Sequence, residues 1–128
     1  MNRHATLALA VVAGAAFGAA AVQGLHAQAK PKAYTVSELE TLDAAAEAAF
    51  VPAVQAAQKD IGARNLRTGG GRIVASEGAA PPKRVAITEW DSLEQAQAFY
   101  NSKAWNDLAP QRTKAQKTIR RYIVEAVN

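Results

Sequence analysis

Residues Arg84–Arg112, RVAITEWDSLEQAQAFYNSKAWNDLAPQR, carry the clearest structural signals of this 128-residue chain. Alternation over the first seven residues predicts a strand. Ser92, followed three residues later by Gln95, predicts a capped helix that runs to about Tyr100. Ser102 predicts the start of a second short helix. We therefore expect a strand, a helix, a turn and another helix in succession.

Upstream of this stretch, the sequence predicts one strand and one longer helix. Alternating residues over Ala33–Glu40 indicate the strand. Apolar residues at helical spacing follow Asp43, which suits the N-cap position, and Gly62 lies where helices commonly end. Pro52 falls inside this helical pattern, so we expect a kink or a restart there.

Three glycines precede the next predicted strand. The run Gly69–Gly71 lacks the phosphate-loop pattern and leads into a strand rather than a helix, which favours a flexible connection over a phosphate site. That strand is predicted over Arg72–Ser76, and a last strand over Thr118–Val127. The order βαββαβ indicates the α+β class and a ferredoxin-like fold, with a four-stranded antiparallel sheet and helices on one face.

The other face of such a sheet would be bare. The predicted strands carry apolar or aromatic side chains on both faces, so a bare face would expose several of them to water. Pairing two sheets face to face would cover these side chains. We therefore expect a homodimer, with a polar-lined cavity or cleft at or near the sheet interface.

Residues 1–29 have the three parts of a secretory signal peptide. Arg3 and His4 form a basic start, residues 7–22 are an apolar run without charge, and residues 27–29 are an A-x-A cleavage site. The sequence therefore predicts a signal peptide that is removed near Ala29.

Cleavage there would leave residues 30–128 as one domain, periplasmic or secreted in a bacterium. A second A-x-A-like site ends at Ala27. Retention as a membrane anchor is the other alternative, but the apolar run is shorter than the roughly 20 residues that span a bilayer. After signal cleavage we expect no membrane partner.

Composition disfavours several kinds of chemistry. The chain has no cysteine, and its two histidines, His4 and His26, lie in the predicted signal peptide. Residues 30–128 therefore lack the side chains for Ser-His-Asp catalysis, for cysteine nucleophiles and for histidine-ligated zinc or haem, and we predict no cofactor and no metal. The net charge is +4, but the basic residues are scattered along the chain and form no nucleic-acid-binding motif. We therefore expect no nucleic-acid partner.

Several residues of the predicted domain match a known bacterial pattern. They are Gly70-Gly71-Arg72, Arg84-Val85, Ser92 with Ala96, and Phe99-Tyr100-Asn101-Ser102 followed by Trp105, Leu108 and Arg112. On these residues, the stretch from about Ala33 to Val127 resembles the domain of unknown function 1330 family, within the dimeric α/β-barrel superfamily. Phe99 replaces the usual tryptophan, and Lys103-Ala104-Trp105 replaces Pro-Glu-Tyr. The resemblance implies a ferredoxin-like fold and a dimer, and the family has no established common activity.

Without histidine or cysteine, acid–base chemistry would fall to Glu, Asp, Tyr or Lys, and two strand glutamates, Glu38 and Glu89, are the catalytic candidates. Glutamate is uncommon in strands. Burial between two sheets would raise the pKa of either carboxyl and suit it to act as a general base. The alternative is that both lie at strand ends or edges, in water or paired with Arg72, Arg84 or Arg121.

Arginines and aromatic residues are the candidates for ligand binding. Arg72 and Arg112, at positions that match the family, could clamp a carboxylate or phosphate, or could instead tie a loop or helix to a carboxylate. Tyr100 and Trp105 could line a pocket or belong to the core. The complete set of ligand-binding candidates is Tyr34, Arg72, Trp90, Tyr100, Trp105 and Arg112.

Two functions remain open from the sequence. The first is a small-molecule-binding or stress-related module, a periplasmic dimer that holds a small, partly apolar ligand without turnover. The second is a cofactor-independent enzyme of the isomerase or monooxygenase type, with a glutamate or tyrosine of the inter-sheet cavity as acid or base. An enclosed cavity that holds Glu38 or Glu89 beside an arginine would favour the enzyme.

Overall fold

The computed structural model describes residues 30–127, so the predicted signal peptide lies outside the described residues. In this part of the chain no helix has the length and apolarity needed to cross a membrane. The secondary-structure elements, in chain order, are β1 (Ala33–Thr41), α1 (Ala44–Ala57), β2 (Ala63–Asn65), β3 (Arg84–Trp90), α2 (Leu93–Tyr100), α3 (Lys103–Asp107), α4 (Ala109–Ala115) and β4 (Gln116–Glu125).

The four strands form one antiparallel sheet in the order β2-β3-β1-β4. β1 is an inner strand, in which Val36 pairs with Ile87 of β3 and with Tyr122 of β4. The register between β1 and β4 shifts at Glu38 and Leu39, which marks a β-bulge or irregularity there. The predicted ferredoxin-like α+β fold is confirmed.

Alternate residues of β1 lie on two different faces of the sheet. One set is buried beneath the helices: Ala33, Thr35, Ser37 and Leu39. The other set lies on the opposite face and is partly exposed: Tyr34, Val36, Glu38 and Glu40. This period of two is what a strand with one covered face requires.

Trp90 is the centre of the core between the sheet and the helices. Its side chain has no exposed surface, and it pairs across the sheet with Ala33. The indole Nε1–H donates to Thr35 Oγ1 at 2.9 Å. The Phe99 ring lies 5.3 Å from the Trp90 ring and 5.4 Å from the Trp105 ring, centroid to centroid. Aromatic rings from β3, α2 and α3 thus fill the space above the small residues of β1.

The helix starts follow the predicted capping pattern. Asp43 Oδ1 accepts from the Ala46 backbone N–H at 2.8 Å, and the Ser92 and Ser102 hydroxyls accept at 3.2 Å from backbone N–H groups three residues on. α1 runs through Pro52 as one helix, so the predicted restart does not occur. It ends at Ala57, five residues before the predicted end at Gly62.

The second strand lies earlier in the chain than predicted. Residues 72–76 are not a strand but part of the long connection after β2, and Val74 is 81% exposed. Gly62 has φ +75°, and a Cβ at this position would lie 2.6 Å from Asp91 Oδ2. The tight turn that glycine permits here reverses the chain soon after α1, so β2 forms before the glycine run.

Polar side chains hold β2 in place, which explains why apolar alternation did not predict it. Asn65 donates to Gln58 Oε1 at 2.7 Å and accepts from Thr88 Oγ1 at 2.7 Å. Arg64 Nε donates to Glu89 Oε1 at 2.6 Å. β4 also begins two residues earlier than predicted, at Gln116.

The hydrogen bond between Trp90 and Thr35 gives a stability prediction. Thr35→Val keeps the shape of the side chain but leaves the buried indole N–H without its acceptor. We expect the free energy of unfolding to fall by about 1–3 kcal/mol, as measured by urea denaturation.

Thr118→Val, at an exposed position of β4, is the matched control and should change the free energy of unfolding by less than about 0.5 kcal/mol. In a Trp90→Phe background, Thr35→Val should cost less than in the wild type, because the indole donor is absent. Equal costs in both backgrounds would contradict this role of the hydrogen bond.

Candidate functional site

A cavity of about 470 Å³ lies between α1, the helix-facing side of the sheet and the loop after β2. This volume falls within the range of small-molecule sites in proteins, roughly 300–1,000 Å³. Much of its lining is apolar, from the residues Leu39, Phe50, Val51, Val54, Leu66, Ala86 and Ile87. The cavity therefore has the size and the walls for a small organic molecule.

The charged residues that line this cavity are mostly positive. They are three arginines, Arg67, Arg84 and Arg121, and one glutamate, Glu47. The cavity wall thus has a formal surplus of two positive charges, which favours an anion inside it. Residues 30–127 contain no group of three histidine, cysteine, aspartate or glutamate side chains placed to hold a metal ion.

Arg84 ties together the elements around the cavity. Its Nη1–H donates to Glu47 Oε1 of α1 and, at 3.3 Å, to Gln116 Oε1 of β4, while Nε donates to the Gly69 carbonyl at 3.0 Å. Glu47 is mostly buried, and its second oxygen, Oε2, has no hydrogen-bond partner among the described residues. Glu47 Oε2 is therefore a buried acceptor without a partner in this part of the chain, and it has almost no accessible surface toward the cavity.

Arg121 is the second partly buried cation of the cavity, and it has no carboxylate partner within residues 30–127. Its Nε donates to Ser37 Oγ at 2.8 Å. Its Cζ lies 4.9 Å from the centroid of the Trp105 ring and 5.6 Å from that of the Tyr100 ring, so the charge is held by aromatic faces instead. Burial lowers the pKa of Arg121, and the nearby charge of Arg112 acts in the same direction.

Arg112 and Tyr100 complete the cluster of cations and rings. Arg112 Cζ lies 4.1 Å from the centroid of the Trp105 ring, and its Nη1 donates to the Trp105 carbonyl at 3.4 Å. Burial raises the pKa of Tyr100, although its hydrogen bond with Thr35 and the charge of Arg121 oppose this shift. Tyr100 therefore lines the cavity as a neutral phenol near pH 7.

Residues 32–127, which make up most of the chain, match the domain of unknown function 1330 (DUF1330) family. The chain belongs to the DUF1330 family. The resemblance inferred from the sequence is thereby confirmed. A search among curated proteins found no match.

Two solved structures resemble this DUF1330 chain. A protein of unknown function from Rhodopseudomonas palustris aligns with a TM-score of 0.60 and 12% identity, over 77% of this chain and 85% of its own. A Chloroflexus aurantiacus protein, provisionally assigned as an antibiotic biosynthesis monooxygenase, aligns with a TM-score of 0.46 and 13% identity, over 76% of this chain and 94% of its own. The first likeness concerns the fold alone, and the second is too weak to carry an argument.

The two catalytic candidates of the DUF1330 domain, Glu38 and Glu89, lie on the open face of the sheet and not in the cavity. Glu38 accepts hydrogen bonds from the guanidinium of Arg120. Glu89 accepts from Arg64, and at 3.2 Å each from Lys32 and from the Tyr34 hydroxyl. Both glutamates therefore have cationic partners, although not the arginines that the sequence suggested.

These contacts hold Glu89 in its ionised form. Its pKa is lowered, first by the hydrogen bond from Arg64 and then by that from Lys32. A general base at neutral pH would instead need a pKa raised toward the working pH. Within the single chain, Glu89 thus has the electrostatics of a paired surface carboxylate. The inter-sheet cavity stays a prediction, because it needs a second chain.

The ligand-binding candidates fall in different places. Tyr100 lines the cavity. Trp105 packs against Tyr100, and Arg112 stacks on Trp105. Trp90 lies 6.0 Å from Tyr100, centroid to centroid, but is wholly buried in the core. The other two candidates, Tyr34 and Arg72, lie on the open face of the sheet and in the exposed loop after β2.

The polar residues of the cavity were not selected as site residues from the sequence. Arg121 alternates with Ile123 on the helix-facing side of β4, and an arginine at an inward strand position is the one signal that could have identified it. Glu47 looked like an ordinary acidic residue in the first turn of a helix, where such residues are common.

The shifted pKa of Glu89 gives a pH prediction. Because its pKa is lower in the folded than in the unfolded chain, the pairing stabilises the fold above the unfolded-state pKa of about 4.3. This contribution is lost as the pH falls through the folded-state pKa. A carboxyl NMR titration should place Glu89 below 4.3, and Arg64→Gln should raise its pKa.

Arg120→Gln is the matched control for this titration, since Arg120 is also on the open face but pairs with Glu38. It should leave the pKa of Glu89 where it is in the wild type. A titration in which Arg64→Gln and Arg120→Gln give the same pKa for Glu89 would contradict the assignment of Arg64 as its main partner.

Proposed function

We propose that this DUF1330 domain binds a small, partly apolar molecule in the cavity between α1 and the sheet, as a binding module without turnover. One observation carries the proposal. The cavity has apolar walls together with a partly buried cation, Arg121, that has no carboxylate partner among the described residues. A cation removed from water normally has a counter-charge, so its absence here supports a ligand that supplies one.

The ion pairs of the two glutamates favour binding over catalysis, because a carboxylate paired with a cation is a weak base. Glu38 and Glu89 are paired with Arg120 and Arg64 on the open face, and neither lines the cavity. Tyr100 of the cavity wall is held in place from behind, because its ring packs edge to face against Trp105 with centroids 5.0 Å apart. A rigid wall residue lowers the entropy cost of binding.

We place the domain in the periplasm or outside the cell, behind a signal peptide formed by residues 1–29. The support is the basic start, the apolar run and the A-x-A site in the sequence. A binding protein in that compartment would meet small molecules that enter from the environment.

We also propose that a second copy of the chain covers the open face of the sheet. Apolar side chains form a stripe on this face, and Tyr122 and Val124 are 44% and 49% exposed. Ion pairs such as Glu38 with Arg120 flank the stripe, so the charged side chains beside it are already paired within one chain. A balanced apolar patch suits an isologous contact, in which the same surface meets itself across a twofold axis.

Native mass spectrometry tests the binding function. The protein, purified from the periplasm of a producing bacterium with no ligand added, should carry an additional small mass, and its own mass should correspond to a chain that begins at Lys30. Ala86→Phe places a ring in the cavity and should remove the additional mass. Ala98→Phe, at an exposed position of α2, is the control and should retain it. An unchanged adduct in Ala86→Phe, or none in the wild type, would contradict the proposal.

Sedimentation velocity tests the dimer. Val124→Asp places a charge on the open face and should shift the protein from dimer to monomer at micromolar concentration, because an unpaired carboxylate would be buried in the contact. Val74→Asp, in the exposed loop after β2, is the control and should remain dimeric. A monomeric wild type, or a dimeric Val124→Asp variant, would rule out this face as the contact.

A further inference from the structure

We infer that the ligand of the cavity is a small organic acid with one carboxylate and an apolar body. This inference rests on the proposed binding function of the cavity and deepens it. It is drawn from Arg121, which has no carboxylate partner among the described residues, and from the apolar side chains of the cavity wall.

The carboxylate follows from Arg121. This guanidinium is largely removed from water, donates through Nε to Ser37, and has no hydrogen-bond partner for its two Nη atoms among the described residues. Burying a cation without a counter-charge is costly, and a bound anion offsets that cost. The planar fork of an arginine matches the two oxygens of a carboxylate.

A single negative charge fits the cavity better than a double one. Of the three arginines in its wall, Arg84 is already paired with Glu47, and Arg67 is exposed to solvent. Arg121 is then the one buried cation of the described lining that lacks a counter-ion. A phosphate monoester would bring about two charges at neutral pH and leave one of them without compensation.

The apolar body follows from the rest of the wall. Apolar side chains of α1 and of the helix-facing side of the sheet line the cavity, so burial of the ligand's hydrocarbon part against them adds to the affinity. Glu47 Oε2 offers no contact to the ligand, because this oxygen has almost no accessible surface in the empty cavity.

Two matched probes test the negative charge of the ligand in calorimetric titrations at pH 7. They are 3-phenylpropanoate, the plain acid, and the neutral 3-phenylpropanamide. The amide should bind at least about tenfold more weakly than the plain acid, which is the loss expected for one charge-assisted contact.

A pair of variants assigns the acid preference to Arg121. Arg121→Gln should remove the preference for the acid over the amide, whereas Arg120→Gln, the same change on the other face of β4, should keep it. Arg121→Lys keeps the charge without the fork and should retain part of the acid preference, which guards against loss through misfolding.

The outcomes distinguish this inference from the proposed function. If the amide binds wild-type protein as well as the plain acid, the acid inference is wrong while the cavity remains a binding site. If neither probe binds, the inference is also wrong, and the native mass spectrum then decides the binding function separately. Equal acid preference in Arg121→Gln and Arg120→Gln would overturn the role of Arg121.

Discussion

The small side chains on the helix-facing side of β1 are the constraint on which the rest of the domain depends. Ala33 and Thr35 leave room for the Trp90 ring, and Thr35 also accepts the indole hydrogen bond. Further along the same side, Ser37 and Leu39 lie beneath a space that no aromatic ring fills, and that space is the cavity. One inner strand thus determines both where the core is dense and where it is open. The dense packing around Trp90 fixes the helices, so they do not close over the space above Ser37 and Leu39.

The cavity is maintained at some cost to stability. Arg121 keeps its charge near the cavity with a serine hydroxyl and two aromatic rings in place of a carboxylate. An apolar residue at this position would pack more favourably, since a buried charge loses its hydration. Buried charges without a counter-charge tend to occur at functional sites. The contrast with the open face is direct, because there Glu38 and Glu89 have cationic partners.

The sequence predicted some parts of the domain better than others, for identifiable reasons. β3 and the helix starts at Asp43, Ser92 and Ser102 were correct, because alternation and capping depend on neighbouring residues. β2 was misplaced, since Ile73 and Val74 have strong strand propensity while Asn65 is fixed by polar contacts with distant side chains. Propensity is a weak guide wherever such tertiary contacts determine a strand.

The sequence by itself determined the α+β order, the ferredoxin-like sheet and the DUF1330 family, because these follow from local periodicity and from residue patterns within short stretches. Only the tertiary structure decided that Glu47 from α1, Arg84 from β3 and Arg121 from β4 line one cavity. These residues are far apart in the chain, and their meeting depends on strand register and on the bulge beside Glu38. A shift of one residue in that register would turn Arg121 to the opposite face. For that physical reason, the site could not be read from the sequence alone.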